Sequence, residues 1–218
     1  MKKIDLFIFD LDGTLIDSKR DIANSVHYTM NVLGLPPIDD EIIYSFVGNG
    51  VTPLIQNAID ATLGKPGELD FYEALTIFRA HYDAHCLDTT ETFPGVREVL
   101  KKFEDRPKVV LTNKSQGFSE KILNGLGLTP LFKGLYGGDT HFPKKPDPAV
   151  VRHLLQEFKT APNQAVIVGD SRVDVETGKN AGIRTCGAAY GFRPRRELEE
   201  SGCDDLIESP EDLLKIFS

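Results

Sequence analysis

Four short apolar segments set the strongest constraint on how this chain can fold. They are IDLFIF (4–9), KVVLT (108–112), AVIVGD (165–170) and RTCGAAY (184–190). None alternates apolar with polar residues, as a half-exposed antiparallel strand does. Each therefore reads as a strand of a parallel sheet covered on both faces. Helical periodicity fills the gaps. Val96, Val99, Leu100 and Phe103 form one stripe, and Phe118, Ile122 and Leu126 form another that Gly127 closes in the C-cap role. Asp147 and Pro148 suit the start of a third helix, which buries Val151, Leu154, Leu155 and Phe158. Ser209-Pro210 opens a last short helix. Strand–helix alternation of this kind predicts an α/β fold, a doubly wound parallel sheet.

One stretch breaks the alternation. Residues 17–87 carry helical patterns and no convincing strand, which predicts a helical insert directly after the first strand. Residues 1–16 and 88–218 then form a discontinuous α/β core. Within the insert, Ser18 and Asp21 read as a capping box before Ile22, Val26, Met30 and Leu33. Asp39 reads as the cap of a second helix. Thr52-Pro53 opens a third helix, and Phe71, Leu75, Phe78 and Tyr82 mark a fourth. An insert at this point sits where open α/β sheets bind ligands, at the carboxyl ends of the strands.

Composition narrows the class. Of 218 residues, 40% are hydrophobic and 27% charged, the balance of an ordinary soluble globular protein. A formal net charge of −8 argues against a nucleic-acid partner and against an anionic membrane surface. Asp5 and Asp10 cut the N-terminal apolar run too short for a signal peptide or a spanning helix. Cys86, Cys186 and Cys203 are odd in number and widely spaced, so no disulfide framework is expected. A cytoplasmic location follows as the expectation.

Charge gathers where the strands end. Asp10 and Asp12 close the first strand, with Gly13 for a tight turn. Thr112-Asn113-Lys114 closes the second, with Ser115 in place to cap the next helix. The third ends in Gly169-Asp170-Ser171-Arg172-Val173-Asp174, and Lys144-Lys145 precedes Pro146 in the connection between the second and third. Taken alone, each of these has an ordinary reading: solvated turns for the acids, a surface position for Lys145, a dipole-stabilised first-turn acid for Asp174. Their joint registration at one edge of the sheet points instead to a site.

These motifs, DLDGTL, TNK, KKPDP and GDSRVDVETGKNAG, resemble in order the four motifs of the haloacid-dehalogenase-like phosphatase superfamily. The resemblance covers the whole chain, helical cap included. Within the superfamily, VGNG, TNK and GDSRVD are similar to phosphoglycolate phosphatases.

The resemblance implies a phosphohydrolase with Asp10 as nucleophile, forming an aspartyl-phosphate. It implies Mg²⁺ as cofactor, held by Asp10, the backbone carbonyl of Asp12 and Asp170, with Asp174 binding it directly or through water. Asp12 serves as acid and then base, and Lys145 neutralises Asp10 and the phosphoryl group. Thr112 and nearby N–H groups, with Asn113 in the substrate-binding set, receive phosphoryl oxygens. Lys114 and Arg172 either contact a substrate anion or face solvent. Gly48, Asn49 and Gly50 are either a plain helix connection or the cap loop that touches the rest of the substrate. His81, His85 and Cys86 have spacing that can bind zinc, but no second cluster accompanies them, and a helix surface is the expectation.

The implied partner is a small phosphorylated metabolite, with 2-phosphoglycolate first by resemblance; the oligomeric state stays open between monomer and homodimer. Pyrophosphatase, sugar-phosphate or nucleotide phosphatase, and phosphosugar mutase share the same phosphate-handling residues. A receiver-like signalling module would share the sheet, acids, Thr and Lys, but it lacks an insert after the first strand.

Overall fold

A computed structural model describes residues 3–63 and 71–217. The chain divides into a larger unit, Met1–Asp17 with Thr92–Ser218, and a smaller one, Ser18–Glu91. The larger unit begins with β1 (Leu6–Phe9). Two very short strands, β2 (Ile16–Asp17) and β3 (Glu91–Thr92), mark where the chain leaves and returns. The smaller unit lies between them in sequence and holds α1 (Lys19–Val32), α2 (Asp40–Phe46), α3 (Val51–Leu63) and α4 (Phe71–His85).

After β3 come α5 (Val96–Lys102), β4 (Lys108–Leu111), α6 (Gln116–Gly125), β5 (Gly134–Tyr136) and α7 (Ala149–Glu157). The chain ends with β6 (Ala165–Gly169), α8 (Arg172–Ala181), β7 (Arg184–Ala188), α9 (Arg195–Ser201), β8 (Asp205–Ile207) and α10 (Asp212–Phe217).

The sheet has six strands in the order β5-β4-β1-β6-β7-β8, every pair parallel. β1, β4 and β6 are buried at every position, which explains why they carry no alternation. Successive β1 side chains point to opposite faces. Leu6 and Ile8 join Val109, Leu111 and Ile167 under Val150, Val151 and Leu154 of α7. Phe7 stacks on Phe103 at 4.5 Å and meets Phe217 edge-on at 5.9 Å, on the side of α5 and α10. Helices thus cover both faces, and the fold is the α/β doubly wound class.

Chain order places the site. From β1 the connections run outward to β4 and β5, then restart on the other side at β6. The strand order therefore reverses beside β1, the place where such sheets bind ligands. Register pairs Phe9 with both Val110 and Val168, so the strand ends carrying Asp10, Thr112 and Asp170 lie side by side.

The outermost strands, β5 and β8, were not expected. β5 is three half-buried residues at one edge, and β8 opens with Asp205 at the other. Neither builds the long apolar run that marks a central strand. Likewise α9, RRELEES, buries only Leu198 and shows no stripe.

In the smaller unit, Ile22, Val26, Met30, Ile55, Ile59, Phe78 and Tyr82 form the buried faces. Residues 64–70 of the expected all-helical stretch lie outside the described residues. Asp39 caps α2 as expected, accepting from Glu41 N at 2.8 Å. The capping box expected at Ser18 and Asp21 is absent. Ser18 makes no side-chain cap bond, and Asp21 instead accepts the N–H and hydroxyl groups of Thr89 and Thr90 at 2.6–3.0 Å. The carboxylate is wholly buried, and five tertiary bonds satisfy it better than one amide at a helix start. Among the described residues no helix is long and apolar enough to cross a membrane.

Candidate active site

Asp10 is the first residue after β1, its N–H bonded to Val168 O at 2.9 Å. Its Oδ1 accepts the Leu11 N–H at 2.7 Å and lies 2.9 Å from Lys145 Nζ. Asp170 follows β6 directly, with Oδ2 accepting Phe192 N–H at 2.7 Å. Asp174 sits in the first turn of α8. Its Oδ2 takes the Ser171 N–H and hydroxyl at 3.2 and 2.6 Å, and its Oδ1 takes Lys145 Nζ at 2.6 Å. It is thus both a first-turn acid and a member of the cluster. Oxygens of Asp10, Asp170 and Asp174 all lie within 4.8 Å of one another, and all three residues are buried.

Gly13 permits this approach. Its φ of +78° is a left-handed turn, and a Cβ there would fall 2.1 Å from Asp170 Oδ2.

The electrostatics follow from burial. Loss of solvent, with Asp174 adding to it, outweighs the pull of Lys145 and the Leu11 amide and raises the Asp10 carboxyl to about 6. Burial, then Asp174 and Asp10, lift Asp170 well above the usual carboxylate range. For Lys145 burial acts downward, but Asp10 and Asp174 outweigh it and hold the ammonium charged. Among the described residues, three buried carboxylates face one ammonium here. Fully ionised, the cluster is two negative charges in excess, in a place where uncompensated charge is costly. Hard oxygen donors with that excess suit a divalent cation.

A second pair stands beside it. Lys114 Nζ binds both oxygens of Asp12 at 3.0 and 3.1 Å, with both side chains at most 10% exposed. The solvent-facing alternative for Lys114 is therefore wrong: its buried ammonium is paired to Asp12. The Asp12 carboxylate lies outside the three-acid cluster.

Thr112 is buried at the end of β4, and its Oγ1 accepts Lys114 N–H at 3.3 Å. Asn113 spends its amide on the backbone of Lys145, accepting its N–H at 3.0 Å and donating to its carbonyl at 3.2 Å. Arg172 is exposed. Gly48, Asn49 and Gly50 join α2 to α3 in the smaller unit, with Gly48 and Asn49 exposed. Ser115 does not cap α6 through its side chain; Asp139 Oδ1 takes the Gln116 N–H at 2.6 Å in its place. His81 and His85 stack on each other at 4.3 Å. His81 meets Ser25 Oγ at 3.0 Å, and among the described residues neither His nor Cys86 joins a potential metal cluster.

Three features of this region escape sequence reasoning. The Phe192 amide acts through backbone, which no side-chain motif reports. Thr14 lies inside the first motif, yet its buried hydroxyl lacks a partner among the described residues. The Asn113–Lys145 bonds join positions 32 apart, which only the fold brings together. An amide directly after Thr112 was the available signal.

Residues 7–188 match the family model for haloacid dehalogenase-like hydrolases. The chain is 33% identical to a phosphoglycolate phosphatase of Colwellia psychrerythraea, over 98% of this chain and 97% of the relative. It is 34% identical to one of Chromobacterium violaceum, over 100% of this chain and 98% of that one. A crystal structure described as a predicted phosphoglycolate phosphatase from Haemophilus somnus superposes with a TM-score of 0.94 at 29% identity, covering 99% of each chain. This chain belongs to the haloacid dehalogenase-like hydrolase family.

Proposed function

We propose that this phosphatase is a Mg²⁺-dependent phosphomonoester hydrolase working through an aspartyl-phosphate on Asp10, with 2-phosphoglycolate as its substrate. The observation that carries the reading is the buried excess of carboxylate over ammonium at the reversal of strand order. An acidic protein has no reason to keep such an excess for stability alone, and a divalent cation completes its charge. Asp10, Asp170 and Asp174 would hold the ion. Bound there, it supplies compensation for phosphoryl charge that protein cations alone do not match.

The remaining roles belong to the chain. Oδ1 of Asp10 is committed to the Leu11 amide and to Lys145, which leaves Oδ2 to attack phosphorus. Lys145 holds the nucleophile in one orientation and offsets the charge that gathers on the phosphoryl oxygens. Thr112 accepts Lys114 N–H at Oγ1, so its own proton is directed to a phosphoryl oxygen. Asp12, steadied by Lys114, protonates the leaving oxygen and then takes a proton from the water that cleaves the acyl-phosphate. Choice among esters is assigned to Gly48-Asn49-Gly50 in the helical unit.

The shared fold and full-length identity to phosphoglycolate phosphatases support the substrate. A panel of 2-phosphoglycolate, pyrophosphate, sugar phosphates and nucleotide monophosphates, run with and without EDTA, tests the proposal. Highest kcat/KM for 2-phosphoglycolate, lost in EDTA, is expected. A tenfold preference for another ester overturns the substrate, and turnover insensitive to EDTA overturns the metal. Replacing Asn49 is expected to reorder the panel; equal slowing of every substrate counts against the loop.

A further inference from the structure

Lys145 presents a problem of aim. Lysine has a flexible four-carbon stem, and here a side chain only 1% exposed must place one nitrogen 2.9 Å from Asp10 and 2.6 Å from Asp174. Yet it stands in the connection from β5 to α7, residues 137–148, which has no regular secondary structure to fix its backbone. Buried N–H and C=O groups need partners, and with no neighbouring strand they must find them elsewhere.

Both partners come from one side chain. A primary amide shows an acceptor and a donor side by side, matching the N–H and C=O that one backbone residue presents. Asn113 accepts from Lys145 N at 3.0 Å and donates to Lys145 O at 3.2 Å, both bonds buried. It stands in for a missing strand neighbour. The same connection is stitched down at its start, where Gly138 N–H bonds Lys114 O at 2.8 Å. A Cβ on Gly138 would lie 2.3 Å from Asn113 O, so no side chain fits between the two loops.

We infer that Asn113 is a positioning residue: its amide clamps the backbone of Lys145 and so aims the ammonium at Asp10. This replaces the substrate-binding role expected for Asn113, and it rests on the reading of Lys145 as the cation that serves the nucleophile. Because Asn113 directly follows Thr112, one strand end sets both the phosphoryl-binding hydroxyl and the lysine.

The test uses p-nitrophenyl phosphate as probe, which does not depend on the natural substrate. Asn113→Ala should lower kcat about 10²-fold, the cost of a misplacement near 1 Å, with KM changed less than about threefold. In a Lys145→Ala background the same substitution should cost less than about twofold, because the clamp then has nothing to aim. Equal losses in both backgrounds, or a rise confined to KM, would overturn the inference in favour of a direct substrate contact.

Asn113→Asp keeps the shape and an acceptor for the Lys145 N–H, loses the donor to the Lys145 carbonyl and adds a carboxylate charge. It should fall between wild type and Asn113→Ala, and it carries the test should the alanine variant fail to fold. A second readout needs no turnover. Acylation of Lys145 by an amine reagent, followed by peptide mass spectrometry, should be slow in wild type and speed up about tenfold in the Asn113 variants, while exposed Lys101 reacts unchanged. Unaltered labelling of Lys145 rejects the clamp. A wild type that hydrolyses no phosphate ester rejects the phosphatase reading and leaves the labelling result to decide the clamp.

Discussion

Where β7 and β8 begin, Arg184 and Asp205 meet in two guanidinium–carboxylate hydrogen bonds. Close by in the same sheet, Asp204 Oδ2 takes the N–H and hydroxyl of Thr185 at 2.9 Å each, and Gln164 Nε2 donates to Asp5 at 2.6 Å. Lys108, buried at the start of β4, donates to the carbonyls of Phe103 and Arg106. Each of these polar groups finds a hydrogen-bond partner within the chain. Where β1 and β6 end, acids outnumber the ammonium: Lys145 pairs with Asp10 and Asp174, and Asp170 lies in the same cluster. Asp10, Asp170 and Asp174 are buried and hydrogen-bonded, so the imbalance is not poor packing. One end is paired within the chain, and the other carries an excess of acid that the proposed divalent ion would complete.

Substitutions that separate the two ends should differ most at Asp10. Asp10→Asn should cut kcat on p-nitrophenyl phosphate by roughly 10⁴-fold or more, the scale of removing a nucleophile. It should also raise the melting temperature of the EDTA-treated protein, because one of three mutually repelling carboxylates is gone. A lower melting temperature would mean that the acids at this end hold the fold, and the contrast would be lost. Lys145→Ala should act in the opposite sense on stability. It strands the buried carboxylates of Asp10 and Asp174, at a cost of about 3–5 kcal/mol in EDTA, and should lower kcat about 10²–10³-fold. Denaturant unfolding at pH 8 measures the first quantity.

A smaller effect comes from pH. Asp10 is raised in the fold from 3.8 to about 6, so its stabilising contribution is complete below its unfolded value and lost as pH rises through about 6. Asp170 is shifted the same way. Without a divalent ion, stability should therefore fall between pH 4 and 7, by on the order of 3 kcal/mol from Asp10. His81 works against this: burial and then His85 lower it, so its contribution grows as pH rises through the ordinary histidine range. The difference between wild type and Asp10→Asn isolates the acid. Parallel pH curves for the two proteins would remove the claim.

Much of this was legible in the sequence, for reasons that also explain what was not. Phe7, Val109 and Ile167 belong to central strands buried on both faces, and burial of that kind writes a continuous apolar run. Edge strands need no such run, so Gly134–Tyr136 and Asp205–Ile207 left no trace. Asp10, Asp12 and Asp170 stood out because charge beside a buried strand is costly and demands a reason, and Lys145 through its place in the ordered motifs. Asp21 is equally buried and equally costly, yet it resembled a helix cap, since the threonines that satisfy it are 68 and 69 residues away. Asn113 likewise showed its amide in the sequence but not the Lys145 backbone that the amide bonds, 32 positions away. A polar side chain advertises its chemistry in sequence, but its partner is a property of the fold.

The smallest effect is expected at the paired end, and it is the most discriminating. Arg184→Met keeps the apolar stem beside the Phe217 ring, 5.9 Å from the guanidinium carbon, and removes only the charge. Asp205 loses its guanidinium partner, but at 16% side-chain exposure it recovers part of its solvation from water. The loss should be about 1–2 kcal/mol, between the values for exposed and for fully buried pairs. That corresponds to a drop in melting temperature of roughly 2–8 °C for a chain of this size. The kcat/KM on p-nitrophenyl phosphate should stay within about twofold, because the pair lies at the opposite ends of the strands from Asp10. A tenfold loss of activity with an unchanged melting temperature would show that charge at one end of the sheet governs chemistry at the other. The division of labour between the two ends would then be false.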